Sequence, residues 1–188
     1  MESNSRKTQI LKEIFGYDSF RKGQEEIVDQ ILNGRDVLAI MPTGAGKSLC
    51  YQVPALLMSG ITIVVSPLIS LMIDQVKALN EAGVHAAYIN SALTERQITK
   101  ALELAAAGRY KMIYVAPERL LTPRFLDFAC HTELSMVTID EAHCISQWGQ
   151  DFRPSYVKIT EFIRQLPRRP VVSAFTATAT QKVREDIL

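Results

Sequence analysis

Five short runs of apolar, largely β-branched residues set the terms for any fold this chain can adopt: "DVLAIM" (36–41), "ITIVVS" (61–66), "KMIYVA" (111–116), "SMVTID" (135–140) and "VVSAFT" (171–176). Apolar residues are continuous in them rather than alternating with polar ones, so each reads as a strand buried on both faces. A weaker run, "AAYI" (86–89), reads as one more. Between the runs lie stretches with helical spacing, at 68–82, 94–107 and 156–165. Upstream, 23–32 sets Ile27, Val28, Ile31 and Leu32 on one face. Strands that alternate with helices predict βαβ units with right-handed crossovers. The expected fold is α/β, a doubly wound, mainly parallel sheet with helices on both faces.

The bulk numbers narrow the function classes. At 188 residues and 47% apolar content, one domain with a sizeable core is expected, with no repeat, low-complexity segment or internal linker. No run of about 18 apolar residues is present, so no membrane partner is expected. The start "MESNSRKTQ" lacks the apolar stretch of a secretory signal. Cys50, Cys130 and Cys144 are odd in number and widely spaced. That is neither a metal spacing nor a disulfide framework, and it suits a reducing, cytoplasmic setting. A net charge of +1 gives no global field for a nucleic acid, so any such contact needs a local face.

"MPTGAGKS" (41–48) follows one strand run and opens a helical stretch. The bland reading is a tight turn that needed glycine. The chemical reading is a phosphate loop, for which strand–loop–helix is the required context. Gly44 and Gly46 let the backbone approach a phosphate, and the helix starting near Lys47 adds its positive end. Thr43 and Ala45 complete the loop. Lys47 would reach the β/γ-phosphates and the Ser48 hydroxyl would sit on Mg²⁺. Met41 stands where the motif's first glycine is expected.

"VTIDEAHCISQWG" places Asp140 and Glu141 at the carboxyl end of a strand run, where parallel sheets bind ligands. Asp140 can hold the Mg²⁺ that bridges a nucleotide's phosphates, and Glu141 can take a proton from the attacking water. His143, beside them, reads as a link between the nucleotide and a neighbouring segment, or as a polar loop residue. ATP with Mg²⁺ is the expected cofactor.

Taken with "GYDSFRKGQEEI" (16–27), "VVSPLISLMIDQV" (64–76), "YVAPERL" (114–120), "IDEAHCISQWGQDFRPSY" (139–156) and "AFTATAT" (174–180), these motifs resemble the first RecA-like lobe of RecQ-family DNA helicases, in helicase superfamily 2. The likeness runs nearly end to end, over 1–188, and the wording of the motifs is closer to bacterial members. The box Asp140-Glu141-Ala142-His143 sets the chain apart from RNA helicases whose box ends in aspartate. The stretch 146–156 resembles the family's aromatic-rich loop.

The resemblance implies roles position by position. Gln24 would read the adenine edge while Tyr17 and Arg21 sandwich the base; otherwise Tyr17 and Phe20 are a staple at a helix start. Ser66 and Ser70 would touch the backbone of a single strand, although Leu68, Leu71 and Met72 beside them suit a core. Asn90 and Ser91 would make a second backbone contact, and Pro117, Glu118 and Arg119 a third. Gln147, Trp148, Phe152 and Arg153 would sense single-stranded DNA and adjust the nucleotide site, Arg153 pairing with phosphate or with a carboxylate such as Asp140. The bland alternative there is a buried aromatic cluster. "TAT" (176–178) would relay between hydrolysis and strand separation, or simply cap a helix.

The function implied is the motor lobe of an ATP-dependent DNA helicase. It would move 3′ to 5′ on single-stranded or partly duplex DNA in recombination and repair, and be nucleoid-associated in a bacterium. The chain closes on "QKVREDIL", inside a stretch read as helix, and is expected to belong to a longer protein whose second RecA-like lobe supplies an arginine finger. An RNA-directed helicase and a non-catalytic ATP-gated module are the alternatives. A P-loop kinase suits the base-reading segment and the aromatic loop poorly.

Overall fold

The computed structural model describes residues 2–147 and 152–188. Six strands form one sheet: β1 (Val37–Ile40), β2 (Ile61–Val65), β3 (Ala86–Ile89), β4 (Met112–Val115), β5 (Leu134–Ile139) and β6 (Val171–Thr176). Their order is β1-β6-β5-β2-β4-β3 and every pairing is parallel. The continuous apolar runs are explained by this arrangement, because both faces are covered. All five residues of β2 are buried. "Mainly parallel" becomes wholly parallel among the described strands.

Eight helices are described: α1 (Glu2–Glu13), α2 (Gln24–Leu32), α3 (Lys47–Leu57), α4 (Ile69–Glu81), α5 (Glu95–Ala106), α6 (Pro123–His131), α7 (Pro154–Gln165) and α8 (Gln181–Ile187). One face of the sheet packs Cys50, Tyr51 and Ala55 of α3 and Met72, Val76 and Leu79 of α4 against Val64, Met136 and Phe175. The other packs α5, α6 and α7 through Ile98, Leu102, Phe125, Phe128, Tyr156 and Phe162 against Ile63, Val65 and Val137. The result is three layers, α/β/α. α1 and α2 lie outside α3, joined through Leu11, Val28 and Val53.

Local chemistry marks several boundaries. Thr94 and Gln97 form a reciprocal capping box that starts α5: Gln97 Oε1 accepts from Thr94 N at 2.8 Å and Thr94 Oγ1 accepts from Gln97 N at 3.3 Å. Pro123 occupies the first position of α6, where its missing N–H costs no bond. α3 ends where the Lys111 ammonium bonds the Met58 carbonyl and, at 3.2 Å, that of Ser59. Because all strands run one way, their carboxyl ends share one edge, and the loop that follows each strand leaves from it.

Candidate nucleotide-binding active site

The loop between β1 and α3 uses both glycines at positive φ, 81° for Gly44 and 78° for Gly46, a conformation L side chains rarely adopt. The α1–α2 segment grips this loop by its carbonyls. The Gln24 amide donates to Ala45 O at 3.1 Å and Gly46 O at 3.2 Å. The Arg21 guanidinium donates to Gly44 O at 2.8 Å. In a trans peptide the N–H points opposite to the carbonyl, so the N–H groups of Gly46 and Lys47 face away from Gln24. Side-chain space at Gly46 is already taken, because a Cβ there would collide with Gln24 Nε2. Gln24 is itself buried, and its Oε1 accepts from Arg21 N at 2.8 Å. It therefore shapes the loop in this structure.

Tyr17, 48% exposed, rims a cleft of ≈ 350 Å³ that Gly46, Ser48, Gln52 and Gln75 also line. At its floor Gln52 Nε2 donates to Gln75 Oε1 at 2.9 Å and to the buried Tyr114 hydroxyl at 3.0 Å. Nothing in the sequence pattern marks this amide pair. Glutamines three and four residues from apolar helix positions look the same whether they face solvent or a neighbour.

Asp140 follows β5 directly, two strands away from the phosphate loop. Only 9% of it is exposed, and burial first, then the neighbouring Glu141 charge, pushes its carboxyl up to about 6. Its Oδ1 accepts from Glu141 N at 3.0 Å. A residue that continued the strand would aim its side chain at the opposite face. Glu141 instead adopts φ 51°, the one positive φ among the described non-glycine residues. That conformation costs on the order of 1–3 kcal/mol. It turns Glu141 back into the site: Oε1 lies 3.4 Å from Lys47 Nζ and Oε2 3.4 Å from His143 Nδ1.

His143 reaches the next strand, with Nδ1 2.9 Å from Thr176 Oγ1. The Thr176 hydroxyl spends its single hydrogen on Thr178 O at 3.0 Å. It therefore accepts from the histidine, which assigns the proton to Nδ1. Thr176 is the first residue of the "TAT" segment, so the contact joins that segment to the acidic box.

The loop after the box is anchored at both ends. The Ser146 hydroxyl donates to Asp186 Oδ2 on α8 at 2.5 Å. Arg153 donates to the Pro67 carbonyl at 3.2 Å rather than pairing with the Asp140 carboxylate. The link to Asp140 runs through Tyr156 on α7, whose buried hydroxyl donates to Asp140 O at 2.9 Å. Sequence spacing placed Tyr156 at the end of the aromatic loop but carried no sign of this bond. Tyr156→Phe is expected to destabilise the chain by about 1 kcal/mol, a loss of about 2–4 °C in a thermal melt.

The remaining expected strand contacts separate by exposure. Ser70, Ser91 and Gln147 are exposed, and Phe152 and Arg153 half-buried. Asn90 is fully buried, its Oδ1 accepting from Ala92 N at 2.9 Å, so it closes a turn. Ser66 is also buried. Trp148 lies outside the described residues.

Among the described residues no group of three or more His, Cys, Asp or Glu can hold a metal ion. Mg²⁺ bound with a nucleotide needs fewer protein ligands, one or two oxygens with phosphates and waters supplying the rest. The Asp140 carboxylate and the half-buried Ser48 hydroxyl on the first turn of α3 suit that role.

Comparison with known proteins bears on the same residues. The chain is 51% identical over 183 residues to the ATP-dependent DNA helicase RecQ of Bacillus subtilis (strain 168), covering 97% of this chain and 31% of that protein. It is 48% identical over 179 residues to the protein of that name in Haemophilus influenzae, covering 95% and 29%. This chain thus spans less than a third of the length of these relatives. In fold it resembles the DUF1998 helicase MrfA, solved bound to DNA and AMPPNP, with a TM-score of 0.76 at 17% identity over 96% of this chain and 27% of that one. Residues 21–187, which include the phosphate loop, the acidic box and the "TAT" segment, match the family model of the DEAD/DEAH box helicases, and the chain belongs to that family.

Proposed function

We propose that residues 1–188 are the first RecA-like motor lobe of an ATP-dependent DNA helicase of RecQ type. The observation that carries this reading is the meeting of Lys47, Glu141 and His143 at the sheet's carboxyl edge, beside the buried Asp140. Lys47 and Glu141 are 94 positions apart in sequence, and their side chains are 3.4 Å apart.

The arrangement works as follows. Mg²⁺ held with ATP would neutralise charge on the phosphates and on Asp140. Lys47 turns from Glu141 to the β/γ-phosphates, and the N–H groups of Gly46 and Lys47 cradle them. Glu141, released from its ion pair, orients the attacking water and accepts its proton. His143 carries the state of this site to Thr176 through the Nδ1–H bond. Tyr17 and Arg21 bracket the base. Ser70, Ser91, Gln147 and Phe152 would contact a single DNA strand together with Trp148, which lies outside the described residues, and Arg153 bonds the Pro67 carbonyl. The relatives are named DNA helicases, which supports DNA as the strand bound.

A second lobe in the full-length protein would supply the arginine finger, worth about 10³–10⁵ in rate. This chain alone is therefore expected to bind nucleotide weakly and hydrolyse it barely. Steady-state ATPase assays with and without single-stranded DNA, on this chain and on the full-length protein, check this. Turnover only in the longer protein, stimulated more by DNA than by RNA, is the expected result. Robust DNA-stimulated turnover by the 188 residues alone contradicts it.

A further inference from the structure

Ser66 ends the run that forms β2, and its hydroxyl is buried, the residue being 2% exposed, with no hydrogen-bond partner. Buried polar groups nearly always find a partner, so an orphan of this kind asks for a reason. Contact with a strand of nucleic acid is a poor one, since the side chain does not reach the surface.

The sheet register supplies a better reason. Val65 pairs with Ile139, and Asp140 N donates to Val65 O at 2.9 Å. One residue further along, Ser66 comes to lie beside Asp140. Alternation along β2 puts Ser66 on the face of Val64, and along β5 it puts Asp140 on the face of Met136; both of these belong to the core under α3 and α4. The two side chains thus share one face on strands about 4.8 Å apart.

The Asp140 carboxylate has room for it. Among the described residues its side-chain oxygens take one hydrogen bond, from Glu141 N to Oδ1. The Tyr156 hydroxyl goes to the Asp140 backbone carbonyl instead, and Lys47 goes to Glu141. A buried carboxylate that has to carry its full charge needs more than one donor.

We propose that Ser66 is a positioning residue of the nucleotide site, whose hydroxyl donates to the Asp140 carboxylate once a cation and nucleotide are bound there. The proposal rests on the nucleotide-site reading above and moves Ser66 from the strand side of the lobe to the nucleotide side. Without nucleotide the hydroxyl is an unpaired burden on the fold; with Mg²⁺ and nucleotide bound it fixes the orientation of Asp140.

The test uses this chain, a fluorescent mant-ADP probe titrated with Mg²⁺ and with EDTA, and thermal melts without nucleotide. Ser66→Ala is expected to melt higher than the native chain, because an unpaired buried hydroxyl is gone. It is also expected to lose about ten- to a hundredfold of the Mg²⁺-dependent gain in mant-ADP affinity, the size of one hydrogen bond to a charged group. Its affinity in EDTA should stay native. Ser66→Thr, which keeps the hydroxyl, should restore the Mg²⁺-dependent gain. A residue that merely filled space would not separate the two metal conditions. The proposal is overturned if Ser66→Ala keeps the native Mg²⁺ dependence. It is equally overturned if Ser66→Ala loses single-stranded DNA affinity while mant-ADP binding is untouched. Failure of the nucleotide-site reading has its own signature: Lys47→Ala binding Mg²⁺–mant-ADP as tightly as the native chain, which removes the basis for Ser66 as well.

Discussion

Asparagine in place of Asp140 is expected to raise the melting temperature of this chain at pH 7 by about 4–8 °C while removing the Mg²⁺-dependent part of nucleotide binding. The carboxyl is pushed up to about 6 by burial and by the Glu141 charge. A group whose folded value lies above its unfolded value of 3.8 favours folding in its protonated form. That contribution is complete below the unfolded value and is lost as pH rises through about 6. At pH 7 the native chain therefore carries a charge that the fold resists, at about 1.4 kcal/mol per unit of displacement. Asparagine keeps an oxygen for the Glu141 N–H and removes the charge but leaves a buried polar amide, so ~2 kcal/mol of the roughly 3 kcal/mol should return. Melts of both chains across pH 4 to 8 check the sign: the native curve should drop away from the Asp140→Asn curve as pH rises, and the two should converge at the acid end. A native chain that is the more stable of the two at pH 7 contradicts the assignment. On the function proposed above, the destabilising charge sits where an ionised oxygen would hold a cation, a common trade of stability for function.

The second large effect concerns Glu141. In the full-length protein, Glu141→Gln is expected to lower ATP turnover by about 10²–10⁴, the range for loss of a general base. Binding should not fall with it. Lys47 and Glu141 form a partly exposed pair at 3.4 Å, which any triphosphate must break. Such pairs are worth up to about 1 kcal/mol, so freeing Lys47 should tighten nucleotide binding by up to about fivefold. Single-turnover kinetics and a nucleotide titration on the same preparation separate the two effects. Turnover and affinity falling together would mean that Glu141 holds the loop in shape rather than acting on water. The positive φ of Glu141 adds a condition: aspartate keeps the charge but not the reach, and Glu141→Asp is no rescue if proton transfer is the role.

Much of this was legible before the structure, for identifiable reasons. Buried parallel strands must be continuously apolar, so all six could be found, the weak "AAYI" run included, which forms β3 at the sheet's edge. The phosphate loop and the acidic box announce themselves because glycine, lysine and carboxylate at those spacings have few other uses. α1 was not legible: "ESNSRKTQILKE" is polar, and its apolar anchors Ile10 and Leu11 touch the body of the lobe only through the small outer cluster. α6 was missed because its nine residues, opened by Pro123, give only about two and a half turns of pattern. The inward turn of Gln24, the closed turn at Asn90, the burial of Ser66 and the Arg153–Pro67 bond share a cause. A polar side chain's target is a matter of tertiary packing, and single residue types carry no sign of whether they face a ligand or a neighbouring carbonyl.

One sheet edge carries the loops that follow all six strands, and the sheet beneath them is packed on both faces, with β2 buried along its whole length. In mechanical terms this is a stiff plate. Close-packed interiors have low compressibility and pass strain on rather than absorb it. The loop after β1 and the loop after β3, at opposite ends of the sheet, therefore keep a fixed separation. On the function proposed above, a motor step would have to be taken up at joints outside the plate, with this lobe turning as one body.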